Sequence, residues 1–126
     1  MIHKFKITVF VFIILIGIIS KNCFAQTIKP IEIGIASYYG KKFNGRKTSS
    51  GERFNKDSLT GAHHSLPFGT IVRVINIKTN DTIVVRINDR IGHRRRIIDL
   101  SPAGAAKLKY KKRGTAKVRL EVIRLP

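Results

Sequence analysis

The sequence predicts a small, mainly β domain that closes into a barrel, carries a short helix, and sits behind an N-terminal export leader. Three observations predict it. Apolar residues alternate with polar ones at a period of two in several short segments. Gly, Pro and Asn clusters separate those segments, and no proline blunts an obvious edge strand, which favours closure over an open sheet. The length behind the leader, about 100 residues, allows one domain with one core.

The elements follow in order. Lys4 and Lys6 form a positive start, and Ile7 to Ile19 is an apolar run broken only by Thr8 and Gly17. That run is short for a membrane span, which needs about 20 apolar residues, and suits the core of a signal peptide. Cys23-Phe24-Ala25 offers small residues where a leader peptidase reads, so residues 1–25 are expected to be removed. An uncleaved anchor is the alternative. Cys23 is the sole cysteine, and Ser20, Lys21 and Asn22 before it fit lipid attachment poorly. Cleavage after Ala25 leaves no thiol for a disulfide or a cysteine metal site. Residues 26–33 form a short connector and the entry to the first strand, and residues 34–126 the barrel domain.

Ile31 to Tyr39, bounded by Pro30 and Gly40, suits a strand. Lys41 to Asp57 mixes Gly, Asn, Ser and charge without period and reads as a long loop, a length usually tied to function or disorder. Thr70 to Ile77 is nearly continuous in apolar residues and is expected to be a strand buried on both faces. After the turn Thr79-Asn80-Asp81, the residues Ile83, Val85 and Ile87 alternate with Thr82, Arg86 and Asn88 in a half-buried strand. Ser101-Pro102 pairs an N-cap with a first-turn proline and opens a short helix through Leu108. Val118, Leu120 and Val122 mark the last strand.

The chain holds 25 Lys and Arg against 7 Asp and Glu, a formal net charge of +18. The leader takes three of the lysines and none of the acids, so the domain behind it stays near +15. Such a balance attracts polyanions. For an exported chain the expected partners are anionic wall polymers, lipid headgroups or polysaccharide, with nucleic acid not expected and a solvated basic surface the plain alternative. Adjacent His63 and His64 lack the spacing of a zinc site, so no metal or cofactor is expected. Gly40, Gly45 and Gly51 are too spread for a phosphate loop, and no Gly-x-Ser-x-Gly elbow occurs.

Four groups remain as acid/base candidates: Glu52, His63, Asp89 and Asp99. Asp89 directly follows the half-buried strand, but between Arg86 and Arg90 it reads equally as half of a structural ion pair. Asp99 reads first as a brace for the helix start. Tyr38, Tyr39, Phe43 and Phe54 flank the loop carrying Glu52 and are suited either to stacking on sugar rings or to packing.

Six segments, in order, go further: GIASYYG at 34–40, TSSGE at 48–52, LTGAH at 59–63, LPFGT at 66–70, VVRINDR at 84–90 and RIIDLS at 96–101. Together, over Gly34 to Val122, they resemble the rare lipoprotein A (RlpA) family. The resemblance implies a six-stranded double-psi β-barrel with one or two short helices, and lytic transglycosylase activity on peptidoglycan, with a liking for strands stripped of stem peptides. Carried over by position, it implies functional roles for Glu52, His63 and Asp89, with Asp89 as the acid/base and the other two orienting it or the substrate by hydrogen bonds. The expected substrate contacts are Tyr38, Tyr39, Asn55, Arg90, Arg94 and Arg95. The implied product is 1,6-anhydro-muramic acid, the setting the cell envelope or periplasm, and the state a monomer. A non-catalytic expansin-like barrel is the rival reading. The chain departs from the family at Ile91–Arg96, where relatives commonly carry Gly-Pro-Phe and a Gly-Arg pair, at Asn55 in place of Asp, and at Tyr38 in place of Trp. With the sequence ending at Pro126, the C-terminal glycan-binding module of many longer members is expected to be absent.

Overall fold

A computed structural model describes residues 31–126. The leader, its cleavage point and the connector up to Pro30 lie outside the described residues. Six strands close into one barrel: β1 (Ile31–Tyr38), β2 (Thr60–Ala62), β3 (Ile71–Asn76), β4 (Thr82–Asp89), β5 (Arg96–Leu100) and β6 (Ala116–Arg124). Around the barrel they run β1-β5-β2-β4-β3-β6, with β1·β5 and β2·β4 parallel and the remaining pairs antiparallel. Helix α1 (Pro102–Lys107) and a 3-10 turn at Lys41–Phe43 complete it.

The period-two segments became strands because each has one face to bury. Ile83, Val85 and Ile87 of β4 and Val118, Leu120 and Val122 of β6 point into the core with Val72, Val74, Ile98, Leu100 and Leu108. On β3, burial on both faces holds only at Val74–Asn76, because Arg73 is exposed and pairs with Glu121 at 3.4 Å. Two strands escape periodicity: β2 has only three residues, and β5 interrupts an apolar run with Asp99. The helix begins as its sequence predicts, with the Ser101 hydroxyl accepting from the Gly104 amide at 3.2 Å and Pro102 in the first turn. Asp99 takes no part in that cap.

Two glycines shape the site. At Gly34 an added Cβ would lie 2.6 Å from Ile97 Cγ2, so its bare backbone lets β5 lie close against β1. Gly51, at φ +88°, turns the chain between Thr48 and Glu52, where its amide donates to the Thr48 carbonyl at 2.9 Å. That turn aims the Ser49 amide at the end of β4.

Candidate active site

Where β1, β4 and β5 end together, a trough of about 370 Å³ opens between Ser37, Tyr38, Tyr39, Phe43, Asp89 and Asp99, with Arg90 and Arg96 at its rim. Asp89 is the last residue of β4 and is half-buried. Its Oδ2 accepts from the Tyr39 hydroxyl at 2.5 Å, and its Oδ1 accepts from the Ser49 amide at 2.8 Å and the Arg90 amide at 2.9 Å. Burial pushes this carboxyl up, but those donors outweigh it, and Asp89 is held below the usual carboxylate range.

Neither flanking arginine reaches the carboxylate. Arg86 turns to Glu52 in a bidentate pair at 2.7 and 2.6 Å. Arg90 donates to the Leu66 carbonyl at 2.7 Å and lies 4.1 Å over the Phe68 ring. The ion-pair reading of Asp89 is therefore replaced by one in which neutral donors fix its charge. Every other acid has a Lys, Arg or His nitrogen within 4.0 Å, while among the described residues Asp89 has none.

The side chains of Glu52 and His63 do not hydrogen-bond Asp89, although the His63 backbone amide donates to the Asp89 carbonyl at 3.1 Å. Glu52 is half-exposed, and its pair with Arg86 lowers its carboxyl. The pair ties the 48–52 turn to β4, and the same turn donates the Ser49 amide to Asp89. His63 is buried, with only 5% of its surface exposed. Its Nδ1 accepts from the amides of Ser65 and Leu66, both at 3.1 Å, so Nε2 carries the proton and donates to Glu32 at 2.8 Å. Neither side chain orients Asp89 by a direct hydrogen bond; each fixes a loop beside it. His63 braces the turn that offers the Leu66 carbonyl to Arg90.

Of the other expected contacts, Tyr38, Tyr39 and Arg90 line the trough. Asn55 does not; its Oδ1 accepts from the Asp57 amide at 2.9 Å and closes a local turn. Arg94 and Arg95 are exposed on the loop before β5 and are not among the trough's lining residues. Tyr39 packs against Phe54 at 4.5 Å and Phe43 at 5.7 Å between centroids. Phe54 is buried and serves as packing, while Phe43 lines the trough and is 38% exposed. Burial and Asp89 together push the Tyr39 hydroxyl far up, so it stays a donor.

Asp99 lines the same trough, a position the sequence reading gave to helix bracing. Its side chain is 12% exposed and pairs with Arg96 at 3.0 Å. Burial pushes its carboxyl up, against the opposing pull of Arg96, His93 and His64. The signal was present in the sequence: Asp99 is the polar interruption of Ile97-Ile98-Asp99-Leu100, opposite in phase to two core residues. Among the described residues no group of three or more His, Cys, Asp or Glu is gathered to hold a metal ion.

The family model described as lytic transglycolase matches residues 31–120. The chain belongs to this lytic transglycolase family. It is 48% identical over 99 residues to the endolytic peptidoglycan transglycosylase RlpA of Neisseria meningitidis, covering 78% of this chain and 41% of that protein. It is 50% identical over 91 residues to the RlpA of Campylobacter jejuni, covering 71% of this chain and 33% of the relative. The chain thus spans well under half the length of these curated relatives. Among solved structures, Streptomyces papain inhibitor matches with a TM-score of 0.62 and 25% identity, over 78% of this chain and 98% of that one. Cerato-platanin 3 from M. perniciosa matches with a TM-score of 0.56 at 15% identity, over 74% and 95%, a likeness of fold alone. The closed six-stranded arrangement is the double-psi β-barrel of the lytic transglycolase family, with Asp89 and Asp99 at one mouth of it.

Proposed function

We propose that this domain is an endolytic peptidoglycan transglycosylase that breaks the bond between N-acetylmuramic acid and N-acetylglucosamine and leaves 1,6-anhydro-muramic ends. The observation that carries the reading is Asp89: an ionised carboxylate in an open trough beside Tyr38, Tyr39 and Phe43, held by neutral donors and free of any cation. A carboxylate kept charged but not neutralised is suited to take a proton from a sugar hydroxyl. In this reaction Asp89 accepts the proton of the muramyl 6-hydroxyl as its oxygen closes on C1, the C1–O4 bond breaks, and no water enters.

Glu52 and His63 act as positioning residues. The first holds the 48–52 turn through Arg86, and the second holds the 63–66 turn through its tautomer. Tyr38, Phe43 and Arg90 receive the sugar rings and their polar groups. The substrate is a glycan strand poor in stem peptides, met in the periplasm or cell envelope by an exported monomer. The exposed arginines Arg94 and Arg95 beside the trough favour strands whose lactyl carboxylates are free, or other anionic envelope polymers.

Incubation of the protein with peptide-free glycan strands, followed by mass spectrometry of the ends, tests the reading. Anhydro-muramic ends are expected from the unaltered protein and none from Asp89→Asn. Glycan binding with no new ends would instead establish a non-catalytic, expansin-like barrel.

A further inference from the structure

We propose that Asp99 is the proton donor to the departing glycosidic oxygen, so that the trough divides acid and base between two carboxyls. The proposal rests on the transglycosylase reading and deepens it. Ile98 and Leu100 of β5 are fully buried in the core, which turns Asp99 between them to the opposite face, into the trough. Its strand neighbours are Ser37 on β1 and Ala62 on β2, both small.

The two oxygens of Asp99 are not equally served. Oδ2 accepts from Arg96 Nη2 at 3.1 Å. Oδ1 lies 3.0 Å from Arg96 Nε, yet the pair misses hydrogen-bond alignment, and both atoms remain buried without a hydrogen-bond partner. The distance records proximity and the alignment records bonding; the alignment decides, because a misdirected N–H does not satisfy a buried oxygen. A buried carboxyl oxygen that no protein group serves disfavours ionisation, so the carboxyl holds a proton more readily, and the 12% of the side chain left exposed lines the trough, where a ligand oxygen can take that proton. The charged and titratable groups facing it are Arg96, His93, His64, Tyr39 and Tyr110. The first three favour its ionised form, and burial outweighs them.

Asp89 and Asp99 therefore share one trough with opposite proton affinities, the condition under which one carboxyl serves as acid and its neighbour as base. The step balances. The Asp99 O–H proton passes to the glycosidic O4 as C1–O4 breaks, the muramyl O6 bonds to C1, and its proton passes to the Asp89 carboxylate. Afterwards Asp89 loses that proton to solvent and Asp99 regains one from solvent. Tyr39, bonded to Asp89 Oδ2, keeps Asp89 the weaker holder throughout.

The test compares two substrates: peptide-free glycan, whose sugar leaving group needs a proton, and a muramyl glycoside with a dinitrophenolate leaving group, which does not. Asp99→Asn is expected to lose about 100-fold or more in kcat on glycan, to keep the aryl substrate within a few-fold, and to lose the alkaline limb of the kcat/KM profile. Asp89→Asn is expected to lose both substrates. Undiminished glycan cleavage by Asp99→Asn, or equal loss on both substrates, overturns the proposal. Carbon-detected NMR titration of the unaltered protein gives a readout that needs neither turnover nor a variant that folds. Asp99 is expected to keep its proton after Asp89 has ionised, and the reverse order sinks the assignment. If the unaltered protein releases no anhydro ends from glycan, the transglycosylase reading fails and takes the catalytic role of Asp99 with it; the titration then separates that failure from an error about the carboxyl itself.

Discussion

The ends of β4 and β5 each deliver one aspartate to the same trough, and they treat it differently. Asp89 receives a hydroxyl and two amides, with no cation, and sits below the usual carboxylate range. Asp99 has a guanidinium beside it and sits above that range. Proximity of charge alone would rank them the other way round. What separates them is how many aligned donors each oxygen receives against how deeply each is buried, since a preorganised neutral dipole stabilises charge and a misaligned cation leaves it underserved.

The largest expected effect breaks the comparison on one side only. Gly34→Ala places a methyl 2.6 Å from Ile97 Cγ2, forcing β5 away from β1. Overpacking of this kind costs about 1–3 kcal/mol. It should displace Asp99 while leaving the Tyr39, Ser49 and Arg90 donors on Asp89. Chemical denaturation reads the loss, and the double variant Gly34→Ala/Ile97→Ala should recover much of it. Loss unrelieved by that second change would show that the glycine serves something other than the β1–β5 approach.

The next effect concerns sign. Asp89 has a folded-state pKa below its unfolded one, so it stabilises the fold above the unfolded carboxylate pKa, and that contribution fades as pH falls through the folded value. Asp99 has a folded-state pKa above its unfolded one, so its contribution is complete below the unfolded value and is lost as pH rises through the folded value. Asp89→Asn should therefore destabilise the domain at neutral pH by about 1 kcal/mol, the scale of charge-assisted hydrogen bonds at a half-exposed site. Asp99→Asn should be neutral or stabilising there, and lose that advantage in acid. Urea midpoints at pH 4 and pH 7 check both; two shifts of the same sign would remove the distinction.

Much of this was legible in the residues. Ile83, Val85, Ile87 and Val118, Leu120, Val122 announced their strands because one face of each meets the core and the other meets water. Ser101-Pro102 announced the helix through local chemistry. The strands β2 and β5 were illegible to periodicity, since Thr60–Ala62 is too short to show any period and β5 carries its polar residue on a half-buried face. Asp89, Tyr39 and Arg90 could be placed at the trough because family motifs carry them, and Tyr38 because it stands where relatives commonly have Trp. Sequence could not show that Arg86 turns to Glu52 or that His63 faces Glu32. Those depend on side-chain direction across strands far apart in the chain.

The smallest effect sharpens the comparison through the loop that serves Asp89. The Glu52–Arg86 pair has both side chains more than two-fifths exposed, and exposed pairs contribute roughly 0–1 kcal/mol to stability. Glu52→Gln should thus hardly move the unfolding midpoint. Its consequence lies in aim: without the bidentate pair, the 48–52 turn holds the Ser49 amide less firmly on Asp89 Oδ1, and the Asp89 carboxyl rises toward its ordinary value. The acid limb of the pH–rate profile should then move to higher pH while KM stays nearly constant. Asp99 should titrate unchanged, because no donor to it comes from that turn. An acid limb that stays in place, with activity lost at all pH values, would mean that Glu52 touches the substrate itself and is more than the anchor of a turn.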